Sequence, residues 1–159
     1  MALNLITDRT LEDVLEARRI RQKYTDGTPL TDSERQSFLA GLKGTYNTSD
    51  INRVNEAVRY VADVLRENGY KISVVDDVEW TNQGLFTQAD WERYLDNVRA
   101  IREVLPLQDD TPKVPSTLFE RNGYRRANDI EQILVDVERY VEQMIKAQFY
   151  SDEIYSGEV

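Results

Sequence analysis

Between Ile51 and Leu65 the apolar residues Ile51, Val54, Val58, Val61 and Leu65 recur at alternating steps of three and four. That spacing follows the helical turn and predicts one continuous stripe on a helix. Start and stop signals bracket it. Ser49, with Thr48 as the alternative, is the expected N-cap, and Asp50 suits the positive helix end. Asn68-Gly69-Tyr70 reads as a C-cap glycine followed by an apolar residue that folds back on the last turn. Four more segments carry similar marks. Thr10 with Asp13 opens a first helix, with Leu11, Val14, Leu15 and Tyr24 on or near one face and Asp26-Gly27 at its end. Thr31 with Glu34 opens a short second helix that bears Phe38, Leu39 and Leu42 and stops at Gly44. Thr87, with Asp90 three residues on, caps a fourth, where Trp91, Tyr94, Leu95, Val98, Ile101 and Leu105 face one way until Pro106. The last starts at Ala127 or Asn128. Its stripe of Ile130, Ile133, Leu134, Val137, Tyr140, Val141, Met144 and Ile145 suits a central place in a bundle.

Two segments break the helical period. In residues 71–80 Ile72 and Val74 alternate with polar neighbours and β-branched residues dominate, which fits a short strand or extended arm. A lone strand needs a partner, either Val78-Glu79-Trp80 folding back as a hairpin or another chain. From Leu107 to Tyr124, Pro112, Pro115 and Asn122-Gly123 read as a loop. A loop of that length either wraps the core or serves a contact, and Leu118 and Phe119 are its candidate anchors. The pattern therefore predicts a mainly α chain, an antiparallel bundle of four to five helices. A short extended or β-hairpin segment lies near 71–80 and a long Pro-containing loop near 106–124. Residues 1–149 form a single domain, followed by an acidic and aromatic tail over 150–159.

Composition narrows the function classes. The chain has 159 residues, a formal charge of −9, and neither histidine nor cysteine. Acidity argues against general nucleic-acid binding, which rests on cations neutralising phosphates. The local cluster Arg18, Arg19, Arg21 and Lys23 reads as a solvated helix end. Missing cysteine removes disulfides and thiolate metal sites. Apolar runs fall far short of the roughly 20 residues that span a bilayer, so no membrane insertion is expected. The N-terminal MALNLITDRT lacks the pattern of a secretory signal.

Little in the sequence points to catalysis. A serine nucleophile has no histidine base here, no glycine-rich phosphate loop occurs, and a pair of hydrolytic carboxylates lacks the usual strand-end scaffold. No catalytic, cofactor-binding or metal residue is assigned. The most site-like group is Asp76, Asp77 and Glu79 beside Trp80, with Trp91 as a further aromatic, which would suit a sugar or a divalent cation. Its spacing does not match an EF-hand loop. Asp109-Asp110 reads as solvated. Nine tyrosines are the notable enrichment. Aromatic residues in loops and termini are common interface anchors, which nominates Tyr46, Tyr70, Trp80, Phe119, Tyr124, Tyr150 and Tyr155. Arg59-Tyr60-Val61, Arg93-Tyr94-Leu95 and Arg139-Tyr140-Val141 repeat one motif on three helices. Their unequal spacing fits reuse of common helix residues better than a duplication.

One resemblance runs through the chain. Leu39-Ala40-Gly41-Leu42-Lys43-Gly44, Tyr46-Asn47, Asp50-Ile51-Asn52-Arg53-Val54 and Asn68-Gly69-Tyr70 resemble a block in small proteins of tailed phages and prophages of gut Firmicutes. Glu92 to Arg99, Ala127 to Glu131 and Tyr155-Ser156-Gly157-Glu158 are similar as well. The resemblance implies a virion setting in the tail, baseplate or fibre region. It also implies partners that are other virion proteins or further copies of the chain, and it carries over no catalytic residue. A carbohydrate- or cation-binding adhesion module and a small acidic regulatory binding protein are the alternatives.

Overall fold

The computed structural model describes residues 3–75, 79–81, 84, 86–117 and 123–156, with backbone alone for 152–156. Five helices follow in order: α1 Leu11–Thr25, α2 Asp32–Leu39, α3 Thr48–Glu67, α4 Gln88–Glu103 and α5 Gly123–Ser156. No strand occurs among the described residues, so the β-hairpin expected near 71–80 is not formed there.

Capping fixes most of the boundaries. Thr10 with Asp13, Thr31 with Glu34 and Thr87 with Asp90 form reciprocal capping boxes, as the sequence predicts. At α3 the cap is Asn47 rather than Ser49 or Thr48. Its Oδ1 accepts from the Ser49 N–H at 3.0 Å, and its Nδ2 donates to the Gly41 carbonyl at 3.0 Å. The amide caps the helix with its oxygen and ties the preceding loop with its nitrogen, two contacts set apart by the width of the amide. The α3 C-terminus closes as expected. Gly69 takes φ +86°, and the Tyr70 N–H donates to the Leu65 carbonyl at 3.0 Å. Gly44 does not stop α2. The helix ends at Leu39, and the Leu42 N–H turns back to the Ser37 carbonyl at 3.0 Å. Gly44 instead lies against the α1 backbone, where a Cβ would overlap the Asp13 carbonyl.

The core belongs to α3, α4 and α5. The α3 stripe is buried throughout, and it packs on Tyr94, Leu95, Val98 and Ile101 of α4 and on Ile130, Ile133, Leu134 and Val137 of α5. A second, smaller cluster of Ala17, Ile20 and Leu42, backed by Leu30 and Phe38, holds α1 and α2 together as an arm. Here the apolar pattern misleads: Leu11, Leu15, Tyr24 and Leu39 are exposed, whereas Ala17 and Ile20 face inward. An arm of two short helices has one narrow seam to bury, and small Ala17 lets the helices approach.

The three core helices run the same way, which corrects the antiparallel arrangement expected from sequence. Arg53 near the start of α3 meets Glu131 near the start of α5 at 2.9 Å. Midway, Tyr60 of α3 faces Glu138 of α5. Beyond the end of α3, the Tyr70 hydroxyl reaches Met144 Sδ at 3.6 Å. For α4, Tyr94 meets Tyr46 just ahead of α3, while Arg102 at the far end donates to the Thr111 and Pro112 carbonyls. That stretch of chain in turn borders Asp136, Arg139 and Tyr140 of α5. Parallel neighbours need connections that travel back, and 20 helical residues span about 30 Å. The described residues between Tyr70 and Thr87 and between Val104 and Thr117 belong to those return paths, which explains why the Pro-containing connection is long.

An extended return path has backbone groups to satisfy, and helix-borne asparagines do this. The Val75 N–H donates to Asn97 Oδ1 at 2.8 Å, and Asn97 Nδ2 donates to the Val75 carbonyl at 3.0 Å. Asn52 holds Trp80 in the same two-way manner, with both bonds at 2.8 Å. Asn128 does so for Arg9, at 3.1 and 2.9 Å. A side-chain amide has one donor and one acceptor on neighbouring atoms, so it copies the pairing a second strand would offer. The segment near 71–80 thus finds its partners on α3 and α4.

Replacing Asn97 by Ala should remove both partners of the Val75 backbone, which is exposed enough for water to replace them in part. We expect a loss of about 1–2 kcal/mol in urea unfolding. Asn97→Asp should recover part of it only below its carboxyl pKa, where the protonated acid both donates and accepts. Gly44→Ala should cost about 1–3 kcal/mol through overpacking on α1, read as a lower melting temperature.

Candidate functional site

Two features of the molecule stand apart from ordinary core packing: a buried charge cluster where the arm meets the bundle, and exposed apolar surfaces at both ends.

The cluster joins four side chains from three parts of the chain. Arg9 Nη2 donates to Asp50 Oδ1 at 3.0 Å and to Glu131 Oε1 at 2.7 Å. Arg53 Nη2 reaches the same two oxygens at 2.6 and 2.9 Å. The remaining oxygens take the Asn47 N–H at 2.9 Å and the Ile6 N–H at 2.6 Å. Glu131 is fully buried, and Arg9 and Asp50 nearly so. Every carboxylate oxygen is engaged and the formal charges balance, two against two. Such a cluster has no open coordination position and no free base. It fastens the N-terminal segment to α3 and α5.

Beside it, the Arg9 guanidinium lies 5.5 Å from the centre of the Tyr46 ring. The Tyr46 and Tyr94 hydroxyls bond each other. Burial above all pushes both phenols over their ordinary range, so neither ionises near neutrality. Trp91 stacks edge-on with Phe86 at 4.6 Å, and Phe86 meets Trp80 at 4.7 Å.

These contacts locate the residues singled out from sequence. Tyr46 and Trp80 are half-buried members of this aromatic group rather than free anchors, and Trp91 belongs with them. Two indoles that share Phe86 do not form an open stacking platform. Glu79 is exposed, while Asp76, Asp77 and Phe119 lie outside the described residues. Tyr70 is half-buried against α5, and Tyr124 lies near Arg125 in the first turn of α5. Tyr150 stands exposed on α5, which continues past 149 to Ser156 and includes the backbone of Tyr155. No group of three or more acidic residues able to hold a metal ion occurs among the described residues. Nor, among them, is any helix long and apolar enough to cross a membrane.

Sequence reading missed the Arg9–Asp50–Arg53–Glu131 cluster. One signal was present. Glu131 lies on the apolar stripe, four residues after Ala127 and three before Leu134, where a carboxylate needs a buried partner.

At the arm, Glu34 accepts from Arg19 at 2.6 Å, from Lys23 at 2.8 Å and from the Thr31 N–H at 2.9 Å. The Lys23 bond foremost, then the Thr31 N–H, hold its pKa at about 2.

Comparison with family models, with characterised proteins and with solved structures gives no match.

Removing one partner of the buried cluster should be costly. Glu131→Ala leaves Arg9 and Arg53 to share Asp50 alone, with one buried positive charge uncompensated, and we expect a loss of about 3–5 kcal/mol by chemical denaturation. Arg9→Met with Glu131→Met should lose less than the two single changes summed, because an apolar pair needs no partner. The Glu34 carboxylate has its lower pKa in the folded state. It therefore stabilises the arm fully above its ordinary value of 4.5, and that support is lost as pH falls towards about 2. The stability gap between wild type and Glu34→Gln should be widest near neutrality and close across that window.

Proposed function

We propose that this chain is a structural or assembly component of a phage virion, from the tail, baseplate or fibre region, working through protein–protein contacts. The observation that carries this reading is the exposed apolar surface left at both ends of an otherwise well-packed body. Phe149 and Tyr150 at one end are 62 % and 63 % exposed, and Leu39 at the other is 79 % exposed. Large apolar side chains left this exposed at the ends of a body suit contact with partners. The resemblance of the Leu39–Val54 block and of the terminal Tyr155–Glu158 to phage proteins supplies the setting. The charge cluster supports the same reading, since it is closed and leaves no reactive centre.

The partners under this reading are other virion proteins or further copies of the chain, and the location is the virion. Mass spectrometry of purified particles should find the protein at a fixed ratio to the tail components. A tagged copy expressed during infection should recover virion proteins. Absence from purified virions would end the reading.

A further inference from the structure

The two ends of the molecule carry different exposed surfaces. Beyond Val141, residues 142–150 of α5 are all exposed, with Asn68 and Tyr70 alongside Met144 and Ile145. Phe149 and Tyr150, further out, join them in making this overhang rich in exposed apolar side chains. At the opposite end a groove runs between α1 and residues 38–49. Its two lobes, of 410 and 520 Å³, share Arg21, Thr45 and Tyr46. Val14, Ala17, Phe38, Leu39 and Leu42 supply apolar patches in a lining that is otherwise polar. Arg18 and Arg21 stand over it. Arg19 and Lys23 are held by Glu16 and Glu34, whereas Arg18 and Arg21 have no carboxylate within ion-pair distance among the described residues.

We propose that residues 141–156 of one copy seat in the α1–α2 groove of a second copy, head to tail. This deepens the assembly reading above and rests on it. Charge supports the choice of occupant. Over residues 141–156 the chain carries Glu142, Asp152 and Glu153 against the single Lys146, while the groove offers Arg18 and Arg21, which meet no carboxylate among the described residues. Pairing two overhangs side by side would set acidic segments against each other. Geometry makes the contact one between copies. The groove adjoins Tyr46 and Asn47 at the end of the bundle where Asn128 lies, and from Asn128 to Phe149 the helix rises about 30 Å. A copy therefore does not reach its own groove. Because the two surfaces differ, each bound copy leaves one of each kind open. Such contacts repeat into a ring if the rotation closes and a filament if it does not.

The test uses the full chain and two double variants, each changed only at exposed side chains. Phe149→Glu with Tyr150→Glu disables the overhang, and Arg18→Glu with Arg21→Glu disables the groove. Both should keep the wild-type circular dichroism and melting temperature. By light scattering, the wild-type mass should climb with concentration beyond a dimer. Each variant alone should stay monomeric, and an equal mixture should form a one-to-one dimer and nothing larger. The proposal is overturned by a wild type monomeric at every concentration, by a groove variant that assembles like wild type, or by a mixture that stays monomeric. A chain monomeric in this assay yet recovered with virion proteins would remove the contact and leave the assembly reading in place.

Discussion

Helices that lie side by side and point the same way cannot be joined by tight turns. Each connection must cover the length of the helix it leaves, and it must do so in extended form against the bundle. An extended chain pressed on helices meets a surface whose own backbone groups are already used. Its N–H and C=O groups then face desolvation without partners, at a cost of about 1–3 kcal/mol each when buried. Asn52, Asn97 and Asn128 resolve this conflict for α3, α4 and α5 in turn, each by clamping one residue of a passing segment on both sides. Arg102 and Arg126 extend the same service to the second return path by donating to the Thr111, Pro112 and Thr117 carbonyls. The parallel core depends on these side chains as much as on its apolar stripes.

The clamp at Asn128 also connects the backbone device to the charge cluster. It fixes Arg9 by its main chain, while Asp50 and Glu131 fix the same residue by its guanidinium. Arg9 is followed at once by Thr10, the cap of α1. The arm therefore springs from a residue held at both ends. It is held again where Gly44 presses on Asp13 and where Lys43 reaches Asp8 at 3.1 Å. The arm has a core of its own, but its orientation is set by polar contacts. That division suits a part that presents a groove at a fixed angle.

Local features were legible because they are local. Three Thr-led capping boxes and the Asn68-Gly69-Tyr70 stop depend on residues within four positions of each other, and each forms as read. The α3 stripe was legible because its whole length meets the core. Helix direction was not, since the apolar pattern of a helix is the same whichever way its neighbours run. The long connections held the information: a segment of some 18 residues between helices suits a return path, whereas an antiparallel turn needs only a few. Asn47 was passed over as a cap because its second contact, with Gly41, is set by the loop that precedes it. The α1 face was misread because Leu11, Leu15 and Tyr24 look like core residues and stand outside it. Of the candidate site, the tyrosines were legible as residue types, but only distance along the fold separates Tyr46, spent on Tyr94, from the exposed Tyr150.

That last contrast bears on what the fold is for. Parallel helices give a bundle polarity: helix N-termini gather at one end and C-termini at the other. Here the arm is built on the N-terminal end, and α5 alone runs on from the C-terminal end. Antiparallel helices of like length would have placed similar features at both ends, which favours symmetric pairing. A polar body with a groove at one end and a projecting helix at the other favours directional contacts, in which neighbours follow one another with the same sense. The asparagine clamps, by making the parallel arrangement affordable to the backbone, are thus the chemical origin of that direction.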